Sequence, residues 1–280
     1  YPPAANLGSV RSNGFEVEIN FQKKIGNVNL RASYNWTIAQ NVILNKDDPQ
    51  LKPDYQKKAG YAIGQLNQKI VQEITTNYDD LYTGVLPQSD ADKVKLLPGD
   101  YRYIDFNSDG VINSDDSAPY EYPTYPMNTY GFSLGGEYKN FAVTLQFYGV
   151  YNVSIGFPEL SELKYGGPII YQDIIERTAT PEYGVSNPSW RQYVYMRTTD
   201  SGGSATTFDA SFLRLKTAEI SYSLPTKLVQ QASIQNARIY ITGNNLLYFS
   251  KLPLDIEGNN VNLYNYPVMR MITAGLKLTF

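Results

Sequence analysis

The stretch Phe15-Glu16-Val17-Glu18-Ile19-Asn20-Phe21-Gln22 places an apolar residue at every second position. Across a short turn at Ile25-Gly26-Asn27 the pattern restarts. Val28, Leu30, Ala32, Tyr34, Trp36 and Ile38 alternate with Asn29, Arg31, Ser33, Asn35 and Thr37. Successive side chains of a strand point to opposite faces, so a period of two predicts a strand with one apolar and one polar face. The two segments read as a hairpin.

Working outward, the pattern recurs. Tyr130, Phe132, Leu134 and Tyr138 alternate with Gly131, Ser133, Gly135 and Glu137, and a tight turn at Lys139-Asn140 leads into Phe141, Val143, Leu145 and Phe147. Leu213 and Leu215 are in one phase, Ile220, Tyr222 and Leu224 in the other, and the slip predicts a bulge near Thr217. Ala237, Ile239 and Ile241 form a sixth run; Ile272, Ala274, Leu276, Leu278 and Phe280 form a seventh. The strands so read have roughly 10 to 14 residues. Globular strands average about 5 to 6, whereas a tilted membrane strand needs about 9 to 11.

Composition narrows the chemistry. The 280 residues include no His and no Cys, which removes a Ser-His-Asp triad, a thiolate nucleophile and zinc, iron–sulfur or His-ligated haem sites. No enzyme activity is expected. With a net charge of −3 and no basic run there is no nucleic-acid footprint. Apolar and aromatic content is too high for disorder. No apolar run is long enough for a membrane helix, a test that alternating membrane strands pass unseen.

The connections carry a second signal. Those at 23–27, 139–140 and 225–236 are short, the last with room for one helical turn. Those at roughly 40–127, 153–208 and 248–267 are long. Strict alternation of short and long matches an outer-membrane barrel, with turns on the periplasmic side and long loops outside. Tyr34, Trp36, Tyr138, Tyr151, Tyr222 and Phe280 are expected near strand ends, as an aromatic girdle. Seven strands of this polarity cannot close such a barrel, because bacterial single-chain barrels have even numbers and an open edge leaves backbone groups unsatisfied in lipid. The expected fold is therefore all-β, a transmembrane antiparallel β-barrel of which residues 1–280 are the C-terminal portion. The competing reading is a secreted or surface β-sandwich that binds glycans.

Four segments, in order, carry a family resemblance. They are Asn6-Leu7-Gly8-Ser9-Val10-Arg11-Ser12-Asn13-Gly14-Phe15-Glu16; Asp209-Ala210-Ser211-Phe212-Leu213-Arg214-Leu215-Lys216 with Tyr222-Ser223-Leu224-Pro225; Thr242-Gly243-Asn244-Asn245-Leu246; and Tyr266-Pro267 through Gly275-Leu276-Lys277-Leu278-Thr279-Phe280. Together they resemble the C-terminal part of the SusC/RagA-type TonB-dependent outer-membrane transporters of Bacteroidetes. The resemblance implies a 22-stranded barrel with a plug, import of oligosaccharides or peptides, and a SusD-like surface lipoprotein as partner. It also implies energy from TonB–ExbB–ExbD through a plug outside this sequence. The long loops would be extracellular and the C-terminus periplasmic.

Asp105-Phe106-Asn107-Ser108-Asp109-Gly110-Val111-Ile112-Asn113-Ser114-Asp115-Asp116 matches an EF-hand-type loop. Asp105, Asn107 and Asp109 would offer side-chain oxygens, Val111 its carbonyl, Asn113 the ninth position directly or through water, and Asp116 the closing carboxylate where Glu is usual. Hard oxygens suit calcium or magnesium. The site would lie in a segment 99–122 of an extracellular loop. Phe280, an aromatic ending an amphipathic strand, resembles the signal read by the barrel-assembly machinery. Tyr171, Trp190, Tyr193 and Tyr195 in the 153–208 loop are candidate cargo contacts, since their rings can stack on sugars or clamp a peptide. Ile169-Ile170 with Ile174-Ile175 has the spacing of a short loop helix. The polar-face charges Glu16, Glu18, Arg31 and Arg238 read as solvated wall.

Overall fold

The computed structural model describes residues 7–74, 101–156, 203–230, 234–252, 255 and 268–280. Its strands in chain order are β1 (Ser9–Ile25), β2 (Val28–Asn45), β3 (Asn67–Lys69), β4 (Val71–Ile74), β5 (Tyr101–Tyr103), β6 (Ser117–Pro119), β7 (Asn128–Tyr138) and β8 (Phe141–Tyr151). They continue with β9 (Ser154–Gly156), β10 (Thr207–Asp209), β11 (Phe212–Ser223), β12 (Asn236–Ser250) and β13 (Met271–Thr279). A short α-helix, α1, spans Thr226–Gln230. No helix among the described residues is long and apolar enough to cross a membrane, a fact that does not bear on strands.

Seven strands form one antiparallel sheet in the order β1-β2-β7-β8-β11-β12-β13. The alternation quoted above becomes continuous rows, because directly paired residues share a face. One apolar row runs Ile25, Val28, Tyr138, Phe141, Tyr222, Ile239, Leu276. Another runs Phe21, Ala32, Leu134, Leu145, Ala218, Gly243, Ile272. Ile19, Phe21, Leu134, Ile220, Ile241, Ile272 and Leu276 are all exposed on this face. A water-soluble protein rarely leaves so large an apolar band open. Among the described residues no second long sheet covers it, which a β-sandwich would require. The sheet is a partial arc of an antiparallel membrane barrel.

The bulge expected near Thr217 is present. Residues 215 to 217 of β11 stand against a single step on β8, Phe147 to Gln146, and against three on β12, Leu247 to Asn244. Asn245 takes up the extra length at φ +54°. The bulge restores phase, so that Leu213, Leu215, Ala218 and Ile220 meet apolar neighbours on one face.

Three boundaries differ from the sequence reading. β2 runs to Asn45 and β12 to Ser250, so the long connections start later than 40 and 248. β1 continues to Ile25, which shortens its turn to Gly26-Asn27. Tyr34 and Trp36 consequently lie inside β2 rather than near its end, whereas Tyr138 and Tyr222 do flank the short-turn end. Alternation fades after Ile38, where β2 has passed its ladder with β7 and only β1 still pairs with it. The β1–β2 hairpin thus projects beyond the rest of the sheet.

The long connections are not featureless. β3 pairs with β6, β4 with β5, and β9 with β10. A small core of Tyr101, Tyr103 and Ile112, with Val71 against it, holds the first connection together. The first and second connections are tied to each other. Val71 N–H donates to Ser204 Oγ (2.9 Å) and Tyr122 N–H to Ser154 Oγ (3.1 Å), and both serines are buried. Strands this short, built from three or four residues with no clear alternation, leave little sequence signal.

Candidate functional site

The polar face is organised by cross-strand hydrogen bonds. One row reads Asn20, Ser33, Ser133, Gln146, Thr217, Asn244. Within it Ser33 Oγ and Ser133 Oγ are 2.6 Å apart. The next row reads Gln22, Arg31, Gly135, Thr144, Glu219, Thr242, Thr273. Here Thr242 Oγ1 donates to Glu219 Oε2 at 2.9 Å, and Arg238 pairs with the other oxygen of Glu219. Arg31 pairs with Glu137. Glu16 accepts from Thr37 (3.5 Å) and Glu18 from Asn20 (2.7 Å). The charges read as solvated wall are therefore mostly engaged with neighbours on their own face. Near the short-turn end this face encloses a groove of about 620 Å³, lined by Arg31, Ser133, Glu137, Ser221 and Arg238 among others. It is hydrophilic and charge-paired.

At the other end lies the acidic loop. Asp105 accepts the N–H of Gly110 (2.8 Å) and, with Asn107, that of Asp109 (3.2 and 3.0 Å). Asp109 accepts from Val111 (2.8 Å). Ser108 at φ +60° and Gly110 at φ +83° make the tight reversal, and for Gly110 that conformation carries no steric penalty. Asp116 is fully buried and closes the loop, taking the N–H groups of Phe106 (2.8 Å) and Asn113 (2.6 Å). Asn113 completes a capping box over the one-turn helix Ser114–Asp116. Ile112 anchors the loop in the Tyr101–Tyr103 core.

The donors fit a hard divalent cation in kind, and the closure sets the twelfth residue against the second. Among the described residues, however, no three acidic side chains converge as a ready metal cluster. The loop's field is felt next door. Burial first, then the charges of Asp116, Asp115, Asp109 and Asp105, push the Tyr55 hydroxyl above its ordinary range. Tyr55 donates that hydroxyl to the Asp115 carbonyl (2.6 Å), Gln56 donates to the same carbonyl (2.8 Å), and the Tyr55 ring rests on Phe106 with centroids 4.8 Å apart.

Similarity to known proteins agrees with this geometry. The chain is 28% identical over 305 aligned residues to TonB-dependent receptor P3 of Formosa agariphila, across 98% of this chain and 29% of that protein. It is 32% identical over 200 residues to TonB-dependent receptor P26 of the same organism, across 65% of this chain and 20% of that protein. The chain resembles part of a SusC/RagA-type TonB-dependent receptor. In fold it is similar to the structure of the RagAB peptide transporter, with a TM-score of 0.66 and 20% identity over 98% of this chain and 30% of that one. The RagAB peptide importer in the closed-closed state gives a TM-score of 0.67 and 22% identity, again over 98% of this chain and 30% of that one. No family model matches the chain. It spans less than a third of the length of each of these receptors and transporter chains.

Within this receptor-like arc the remaining sequence candidates fall as follows. Phe280 follows β13 in phase with Leu276 and Leu278 and is exposed. Tyr171, Trp190, Tyr193 and Tyr195, and the helix expected around Ile169–Ile175, lie outside the described residues. One cluster was not foreseen. The Arg214 guanidinium is fully buried on the polar face, against the rings of Tyr248 (4.5 Å) and Phe212 (6.0 Å) and paired with Asp255. An arginine within an alternating strand gives no sign of burial unless its partner's position is known.

Proposed function

We propose that this chain forms part of the wall and mouth of an outer-membrane importer. The observation that carries the reading is the exposed apolar band, in register across seven strands and backed by a hydrogen-bonded polar face. Hydrocarbon would cover the first and an aqueous interior would use the second. The receptor relatives support TonB-dependent import; its cargo would be an oligosaccharide or a peptide, and its energy would come through a plug from TonB–ExbB–ExbD. The long connections would lie outside the cell, facing a SusD-like surface lipoprotein, with the aromatic residues of 153–208 as cargo contacts. The C-terminus would be periplasmic, with Phe280 serving the barrel-assembly machinery.

The acidic loop fits this role as a stiffener. A calcium ion, or magnesium, held by oxygens of Asp105, Asn107, Asp109, Val111, Asn113 and Asp116 would neutralise its charge and brace the first long connection. The experiment for the whole reading is deletion of the full receptor gene, followed by growth on defined oligosaccharides or defined peptides as sole nutrient. Loss of growth on one class, restored by the wild-type gene, supports import and names the cargo. Unimpaired growth and uptake on both would refute it.

A further inference from the structure

We infer that Asp209–Arg214 is a clasp that folds the start of the β12–β13 connection back over the polar face. Three contacts join this segment to Ser250, Lys251 and Asp255. Asp209, whose Oδ1 accepts the Ser211 N–H (2.9 Å), meets Lys251 Nζ through Oδ2 at 3.4 Å. The Ser211 carbonyl accepts the Ser250 hydroxyl (2.8 Å), which in turn accepts the Leu252 N–H (3.1 Å). Arg214 grips Asp255 with both terminal nitrogens, Nη1 at 3.2 Å from Oδ2.

The register makes the fold-back necessary. Arg214 is paired with Tyr148 on β8 and Tyr248 on β12, and its side chain shares their face. Asp255 lies seven residues beyond Tyr248 in sequence, yet its carboxylate returns to a side chain level with that tyrosine. A connection continuing along β12 would carry Asp255 away from the sheet, at about 3.3 Å per residue. The anchor is strong where it matters. A fully buried guanidinium is costly without a carboxylate partner, whereas the Lys251 pair is exposed and contributes little. The rings of Phe212 and Tyr248 lie against the arginine, and Tyr148, its partner on β8, meets Phe212 edge to face at 5.3 Å. In a barrel the polar face is the interior, so the clasp sets Lys251, Leu252 and Asp255 among what lines the mouth. That placement rests on the proposed barrel and on no particular cargo.

This sequence has no cysteine, which makes labelling clean. The test places one cysteine at Leu252 in the full receptor, free of other cysteines, in outer-membrane vesicles. The rate of reaction with a membrane-impermeant maleimide is then measured. Asp255→Asn should raise the rate at least fivefold, while Asp255→Glu, which keeps the carboxylate, should stay within twofold of the parent. Arg31→Met, which breaks an ion pair at the opposite end of the same face, should change nothing. Asp255→Asn within twofold of the parent would overturn the clasp. So would an equal rise in Asp255→Glu or in Arg31→Met.

Discussion

The Tyr240 ring lies over Gly275, its direct partner on the adjacent strand. A Cβ at Gly275 would collide with the ring. The glycine leaves an open notch in the last strand, and the tyrosine fills it, locking the register of β12 against β13. Gly275→Ala should therefore lower stability by about 1 to 3 kcal/mol, the usual cost of overpacking a filled site. Urea unfolding of the refolded receptor in vesicles reads this directly. An unchanged midpoint would mean that the ring swings aside freely.

Leu145 stands in mid-strand on the apolar face, between Leu134 and Ala218. Its chain neighbour Gln146 faces the polar side, between Ser133 and Thr217. Leu145→Arg should cost about 2 to 4 kcal/mol if that row meets hydrocarbon near the midplane. Gln146→Arg should cost less than about 1 kcal/mol, because the lumen side tolerates charge. Folding yield into lipid vesicles separates the two. Equal yields for both variants would remove lipid from the apolar face.

Much of this was legible because a strand with one face in oil and one in water has to alternate. Phe15 to Gln22 and Val28 to Ile38 gave the hairpin, and the phase slip between Leu215 and Ile220 gave the bulge. Where one face is not set against the other, the pattern goes silent. Residues 40–45 of β2 lie past the β7 ladder, and the three-residue strands of the long connections pack too little surface to mark a period. The acidic loop was visible because glycine and carboxylates recur at fixed steps. The Arg214–Asp255 pair was invisible, since only the folded connection brings residues 41 positions apart together.

The acidic loop offers a metal test independent of transport. Asp105→Ala combined with Asp109→Ala should make the segment 99–122 more sensitive to protease, and chelator should do the same to the parent. Adding calcium should restore resistance to the parent and not to the variant. Cleavage rates that ignore both chelator and substitution would mean that the hydrogen bonds from Gly110, Asp109 and Val111 suffice to hold the loop.

Asp48 supplies a pH dependence whose sign follows from its contacts. Its carboxylate accepts the N–H groups of Lys58 (3.0 Å) and Ala59 (2.8 Å), and these backbone bonds hold it below the usual carboxylate range, against a weaker desolvation effect. A depressed native pKa means that the contribution is present above the unfolded value, about 3.9, and is lost as pH falls through the native one. The Lys58 and Ala59 amides should therefore keep their protection from hydrogen exchange down to about pH 4 and lose it in stronger acid, once exchange rates are corrected for their intrinsic pH dependence. In Asp48→Ala the same two amides should exchange fast across the whole range. Protection of these amides that survives the substitution would assign the turn at 48–59 to the Gly60 and Tyr61 backbone contacts instead.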